Sequence, residues 1–187
     1  MIYIEDDFLD INLISYIENE ESEFQKVDTP GKSFWIKVPS NDFIELVCDK
    51  ISKIENATIK PVLGFFREAK EGQDNDWRIH SDSIIGDQQP DRAIVLYISE
   101  NNYCDLNGTA FWEHYKHGDR FQDVEHSEYN RLLIEDANDK DKWILKSVIG
   151  HKKNRLISYP CNYFHSKYPN EFVESRKVFV MFYKIKK

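Results

Sequence analysis

His80 and Asp82 stand two residues apart, so in an extended chain their imidazole and carboxylate project from one side. Joined by a distant second histidine, such a pair forms the 2-His-1-carboxylate set. That set grips Fe(II) by one face and leaves three positions open for a co-substrate and oxygen. With six His and 17 Asp in 187 residues, about 0.5 His-x-Asp pairs arise by chance, so context has to decide. The chain holds another, His117-Gly118-Asp119, and a near match, His126-x-Glu128. His80-Ser81-Asp82 ends a strand-like run and precedes a polar turn and the apolar stretch from Ala93 to Ile98. His117 lies in a Lys-His-Gly-Asp-Arg turn with no strand register to aim it. His117 and His126 therefore read as solvent-facing loop residues.

The C-terminal block holds the remaining groups. His165 precedes a Pro-containing loop, and Arg176 follows 11 residues later, at the mouth of an apolar strand over 177–185. Alternation puts Arg176, Val178, Val180 and Phe182 on one face and Phe179, Met181 and Tyr183 on the other. An arginine heading an apolar inward face suits an anion. A dicarboxylate chelating a metal at one end leaves its other carboxylate free for the two-pronged grip of a guanidinium. Trp77 and Arg78, just before His80, could line a substrate mouth, though an aromatic there is as often packing. Trp112 and His114 share a face of their strand, as substrate contacts or as packing at a barrel edge. The same triad around zinc would make a hydrolase, but no general base stands beside it.

The elements that must position these groups can be read from pattern. Asp6 or Asp7 can cap a helix carrying Phe8, Leu9, Ile11, Leu13, Ile14 and Ile17. Pro30-Gly31 marks a turn, and a strand is expected over 33–38. Ser40 caps a second helix with Phe43, Ile44, Val47, Ile51 and Ile54 on one face. Pro61 ends helical pattern, and a strand follows over 62–67. Short strands are then expected over 77–82, 93–99, 109–114, 143–148, 155–159 and 177–185. The implied class is α+β, mainly β, with helices on one face of a sandwich or barrel. The whole chain, 1–187, reads as one domain, with residues 1–60 as helical support. Residues 115–142 are charged and partly helical, an insertion over one end and a candidate lid.

Composition sets the outer bounds. At 187 residues, 41% apolar and 31% charged, the chain can fold around its own core. It has no apolar run long enough for a membrane span and no basic-then-apolar leader, so a soluble, cytoplasmic domain is expected. Three cysteines, Cys48, Cys104 and Cys161, lack paired spacing and argue against a disulfide framework. Residues 1–28 hold nine acids and one Lys26, which accounts for the whole net charge of -8. No basic stripe offers itself to a phosphate backbone, so nucleic acid is not the expected partner.

The order IYIEDDFL, WRIHSD, DRAIVLYIS, NGTAFWEH and NRLISYPCNYFHSKYPNEFVESRKVFVMFYK resembles the Fe(II)/2-oxoglutarate-dependent dioxygenases, on their prolyl-4-hydroxylase-like branch. The resemblance spans nearly all of the chain outside 115–142. It implies a double-stranded β-helix (jelly-roll) core with supporting N-terminal helices. It also implies Fe(II) held by His80, Asp82 and His165, with 2-oxoglutarate and O2 as co-substrates. Arg176 would bind the distal carboxylate of 2-oxoglutarate, and Tyr97, in the strand after His-x-Asp, would hydrogen-bond the same group. The implied reaction is hydroxylation of a C–H bond in a prolyl residue or a small molecule, with release of succinate and CO2. The alternative is a silent member of the fold that binds a metal or small acid without turnover.

Overall fold

Short apolar runs become strands and 3.6-periodic segments become helices in the computed structural model, which describes residues 1–20, 23–29, 32–70, 72–100, 106–122, 125–171 and 175–186. In chain order these are β1 (Tyr3–Glu5), α1 (Ile11–Asn19), β2 (Gln25–Thr29), β3 (Lys32–Lys37), α2 (Asn41–Glu55) and β4 (Ile59–Ala69). There follow β5 (Arg92–Tyr97), β6 (Gly108–His114), α3 (His126–Arg131), β7 (Trp143–Gly150), β8 (Leu156–Pro160), β9 (His165–Tyr168) and β10 (Arg176–Ile185). A π turn (Leu132–Asp136) prolongs α3, and a 3-10 turn (Lys140–Lys142) leads into β7. The expected Pro30-Gly31 turn and Cys104 lie outside the described residues. Cys48 and Cys161 are free thiols. Among the described residues no helix is long and apolar enough to cross a membrane.

The strands form two antiparallel sheets, one of seven in the order β1-β8-β5-β10-β4-β3-β2 and one of three in the order β7-β6-β9. β10 pairs with both β4 and β5, and its alternation sorts two cores. Phe179, Met181 and Tyr183 turn outward onto Ile14 of α1 and Phe43, Val47 and Ile51 of α2. Val178 and Phe182 turn inward, with Ala93, Val95, Tyr97, Ile157 and Tyr159 of the same sheet and Phe111 of the smaller one. A third cluster (Ile79, Ala110, Trp112, Phe121, Leu132, Trp143, Phe164) joins the small sheet to the 115–142 segment. Trp112 and His114 are both buried there. The indole N–H of Trp112 donates to Ser166 Oγ at 2.9 Å.

Several expected elements shift, each for a local reason. α1 begins at Ile11 with Asp10 as its cap, not Asp6 or Asp7. Asp7 adopts φ 54°, and Asn154 binds the backbone of both Phe8 and Leu9, so the chain cannot coil before residue 10. Pro61 lies inside β4, tolerated at the register shift opposite Phe182 and Tyr183, where a proline without an N–H breaks no ladder. The run 77–82 is not a strand. Arg78 takes φ 41° and the Ile79 N–H donates to Ala137 O, leaving only a single bridge at His80. β1, β2 and β9, of three to five residues, were not anticipated.

Candidate metal and co-substrate site

The loop carrying His80 and Asp82 is stitched to the chain that carries His165. The His80 N–H donates to His165 O at 3.0 Å, the His165 N–H to His80 O at 2.8 Å and the Asp82 N–H to Cys161 O at 2.7 Å. Backbone bonds thus do the positioning that the expected strand would have done. One donor atom from each of His80, Asp82 and His165 lies within 4.8 Å of the others. His80 Nε2 is 3.5 Å from Asp82 Oδ1 and His165 Nε2 is 3.2 Å from Asp82 Oδ2.

The outer nitrogens fix what the inner ones present. His80 Nδ1 is 2.7 Å from Arg78 O and His165 Nδ1 is 3.1 Å from Tyr163 O. A carbonyl can only accept, so both Nδ1 atoms carry a proton and both Nε2 atoms face the carboxylate. Burial first, and then the neighbouring His165, holds His80 down to about 3, so it is neutral. Burial pushes Asp82 up, but His165 and the charges around it outweigh that and keep it ionised. Two imidazole nitrogens and a carboxylate converging within 4.8 Å suit a divalent cation. The residues fit the metal that the triad implies.

Beside the triad opens a cavity of about 540 Å³, lined by His80, Asp82, His165, Arg176, Thr109 and Tyr159 among others. Arg176 opens β10 and is buried, its guanidinium 5.6 Å from the centre of the Tyr97 ring. The Tyr97 hydroxyl is 2.7 Å from Thr109 Oγ1, so this pair and Arg176 form one polar group in an otherwise apolar inner face. Thr109 reaches it because Gly108 at φ 148° lets β6 pass close to β7. A Cβ on Gly108 would stand 2.0 Å from Ile149 O.

No family model matches the chain, and no curated protein does. Solved structures match over almost its whole length. HygX from Streptomyces hygroscopicus, with nickel, 2-oxoglutarate and hygromycin B bound, superposes at a TM-score of 0.63 and 12% identity over 98% of this chain and 82% of HygX. A prolyl-4-hydroxylase from Pseudomonas putida gives 0.57 and 12% over 99% and 92%. The viral collagen prolyl hydroxylase of Paramecium Bursaria Chlorella virus-1, a 2-oxoglutarate complex, gives 0.58 and 11% over 97% and 94%. The fold is that of the Fe(II)/2-oxoglutarate-dependent oxygenases.

Within this oxygenase fold, Trp77 and Arg78 line the cavity, as their place before His80 suggested. Trp112 and His114 pack away from it. His126 is exposed on α3. His117 is not a solvent-facing loop residue. Its ring stacks on His114 at 5.0 Å and its Nε2 meets Glu128 at 2.9 Å, because the 115–142 segment folds back on itself. Tyr159, Thr109, Lys167 and Tyr129 also line the cavity and were not singled out from sequence. Tyr159 shares its parity with Ile157 on β8, a signal present in the alternation. Lys167 lies on β9, too short and polar to read. Tyr129 comes from the insertion and donates its hydroxyl to Ser81 O at 2.7 Å.

Proposed function

We propose that the protein is an Fe(II)/2-oxoglutarate-dependent dioxygenase on a double-stranded β-helix core, which hydroxylates a C–H bond of a small molecule or a prolyl residue. The observation that carries this reading is the convergence of the two Nε2 atoms and the Asp82 carboxylate at a cavity that also holds buried Arg176. His80, Asp82 and His165 would hold the metal, with Arg78 O and Tyr163 O keeping both imidazoles in the ligating tautomer. Arg176 would anchor the far carboxylate of 2-oxoglutarate by two parallel hydrogen bonds, in a setting too buried for water to compete. Tyr97 and Thr109 would fix the wall beside that carboxylate. Ferrous iron, when bound, supplies oxidation of an unactivated C–H bond by O2, coupled to conversion of 2-oxoglutarate to succinate and CO2. The apolar inner faces of β4, β5 and β10 exclude water from the reacting end.

The visible spectrum under argon with Fe(II) and 2-oxoglutarate tests this reading. A weak charge-transfer band is expected in the wild-type protein and is expected to be missing from His165→Ala. A folded wild-type protein that binds iron without a band would overturn the dioxygenase reading and leave the silent binding module as the better account.

A further inference from the structure

Among the described residues four cations line the cavity, Arg67, Arg78, Lys167 and Arg176, against one carboxylate, that of Asp82. Three of the four already have work. Arg176 heads the co-substrate wall, Arg67 is paired with Asp74, and Lys167 donates to the carbonyls of Asp76 (2.6 Å) and Asn170 (2.5 Å). Arg78 differs. Among the described residues its guanidinium makes no salt bridge and rests 5.0 Å from the centre of the Phe34 ring. Its backbone is held at φ 41°, where a long side chain is uncommon. The Arg78 N–H donates to Asn138 Oδ1 at 2.8 Å, and the Arg78 carbonyl orients His80. A guanidinium has therefore been fixed at the cavity wall two residues from the metal triad.

Around it the wall is apolar. Phe34 and Ile36 of β3, Leu63 and Phe65 of β4, and Val180 and Phe182 of β10 line it. Val38 and Leu63 leave apolar surface exposed at its rim. A volume near 540 Å³ is that of a small-molecule site. Resting on the dioxygenase reading, we infer that the primary substrate is a small organic acid with an apolar body: its carboxylate pairs with Arg78 and its body lies along Phe34, Ile36, Leu63 and Phe65. The charge balance agrees. With Asp82 and 2-oxoglutarate set against iron and Arg176, and Arg67 against Asp74, two lining cations remain. Lys167 is held by two carbonyls. Arg78, which feels the charge of Asp76 but forms no salt bridge among the described residues, is the one turned to a further anion. Burial, and then the positive charges of Arg176 and Arg78, holds the Arg67 guanidinium below its usual value, a sign of how crowded with positive charge this wall is.

Calorimetry under argon, on the Fe(II) protein saturated with 2-oxoglutarate, tests the inference with four acid–amide pairs. These are hexanoate, octanoate, 3-phenylpropionate and indole-3-propionate, each against its primary amide. Saturation keeps the probes from Arg176. At least one acid is expected to bind about tenfold or more tighter than its amide, the effect of one charge-assisted pair. Arg78→Gln is expected to erase that preference, Arg78→Lys to restore part of it, and both to bind 2-oxoglutarate within about threefold of wild type. If no acid binds, if amides bind equally, or if the preference survives Arg78→Gln, the inference is overturned. Failure of 2-oxoglutarate to bind the wild-type protein would instead count against the dioxygenase reading. The acid preference and its dependence on Arg78 are then measured without 2-oxoglutarate on the Arg176→Gln background, which keeps the probes from that position, and decide the inference separately.

Discussion

At the scale of single residues, the inner face divides into groups that must be charged and groups that must not. Arg176 belongs to the first kind. Arg176→Lys keeps the charge and loses the two-pronged geometry, so the dissociation constant for 2-oxoglutarate is expected to rise about tenfold or more, and further in Arg176→Ala. Iron binding should hold in both. Calorimetry checks this, and an unchanged affinity for 2-oxoglutarate would move the carboxylate anchor elsewhere. His151 belongs to the second kind. Its ring lies tilted against Tyr97 with centroids 4.4 Å apart, its Nε2 lies 2.7 Å from Ser99 O, and its Nδ1 is buried without a hydrogen-bond partner among the described residues. Burial, and then the charge of Arg176, brings it down to about 4. The unfolded chain protonates this histidine near pH 6.5 and the folded one near 4, so between these values the unfolded state holds more protons. Stability is therefore full above pH 6.5 and falls as the pH drops toward 4, by on the order of 2 kcal/mol from this residue. Urea unfolding of the metal-free protein at pH 5 and 7.5 should show a larger acid loss in wild type than in His151→Gln. Equal losses would remove His151 from the account.

At the scale of elements, the 115–142 segment has a fixed part and a part free to respond. Ala137 and Asn138 are bonded to the backbone of Ile79 and Arg78, the Trp143 indole donates to Asp136 O, and the buried Asp136 carboxylate meets Arg131 and Lys142. α3 and the π turn carry Tyr129 and Leu133 to the cavity, and a bond from Tyr129 to Ser81 O ties that stretch to the triad loop. We propose this stretch as the lid. Hydrogen exchange is expected to slow over 125–134 on binding of iron and 2-oxoglutarate and to stay unchanged over 136–143. Equal exchange in both states over 125–134 would leave the segment as a static wall. The element scale also shows what the sequence could and could not reveal. β5, β6, β8 and β10 were legible as short apolar runs between polar turns, buried on both faces, and α2 because Ser40 caps a 3.6-period face. The triad loop was legible as residues but not as structure. Its partners are backbone groups of residues 161–165, some 80 positions away, and no local pattern encodes them. β2 and β9 are polar and short, so pairing rather than composition makes them strands. Asp10 outcompeted Asp6 and Asp7 as a cap because Asn154, distant in sequence, holds the intervening turn.

At the scale of the whole molecule, the acidic N-terminal stretch is less a free surface than its composition suggests. Asp6 pairs with Lys152 and Arg155, which hold it well below the usual carboxylate range, and Glu18 pairs with Lys153. The -8 of residues 1–28 is partly answered by the 152–155 turn, which also receives Phe8 and Leu9. The large sheet likewise joins distant parts of the chain, with β1 on β8 and β10 between β4 and β5. A chain cut after Asn170 lacks β10, so it is expected to be degraded by protease under conditions where the full chain resists. Resistance of the shortened chain would show that the two half-sheets stand alone. The central place of β10 also governs the order of events during synthesis. A ribosome releases β4 and β5 before the strand that both must pair with exists, so two bare, hydrogen-bond-hungry edges wait in the cell until residue 176 and its followers emerge. Arg176 arrives on that same strand. On the proposed reading, the protein therefore gains its co-substrate anchor in the step that closes its sheet, and a nascent chain too short to be safe from aggregation would also be too short to bind 2-oxoglutarate.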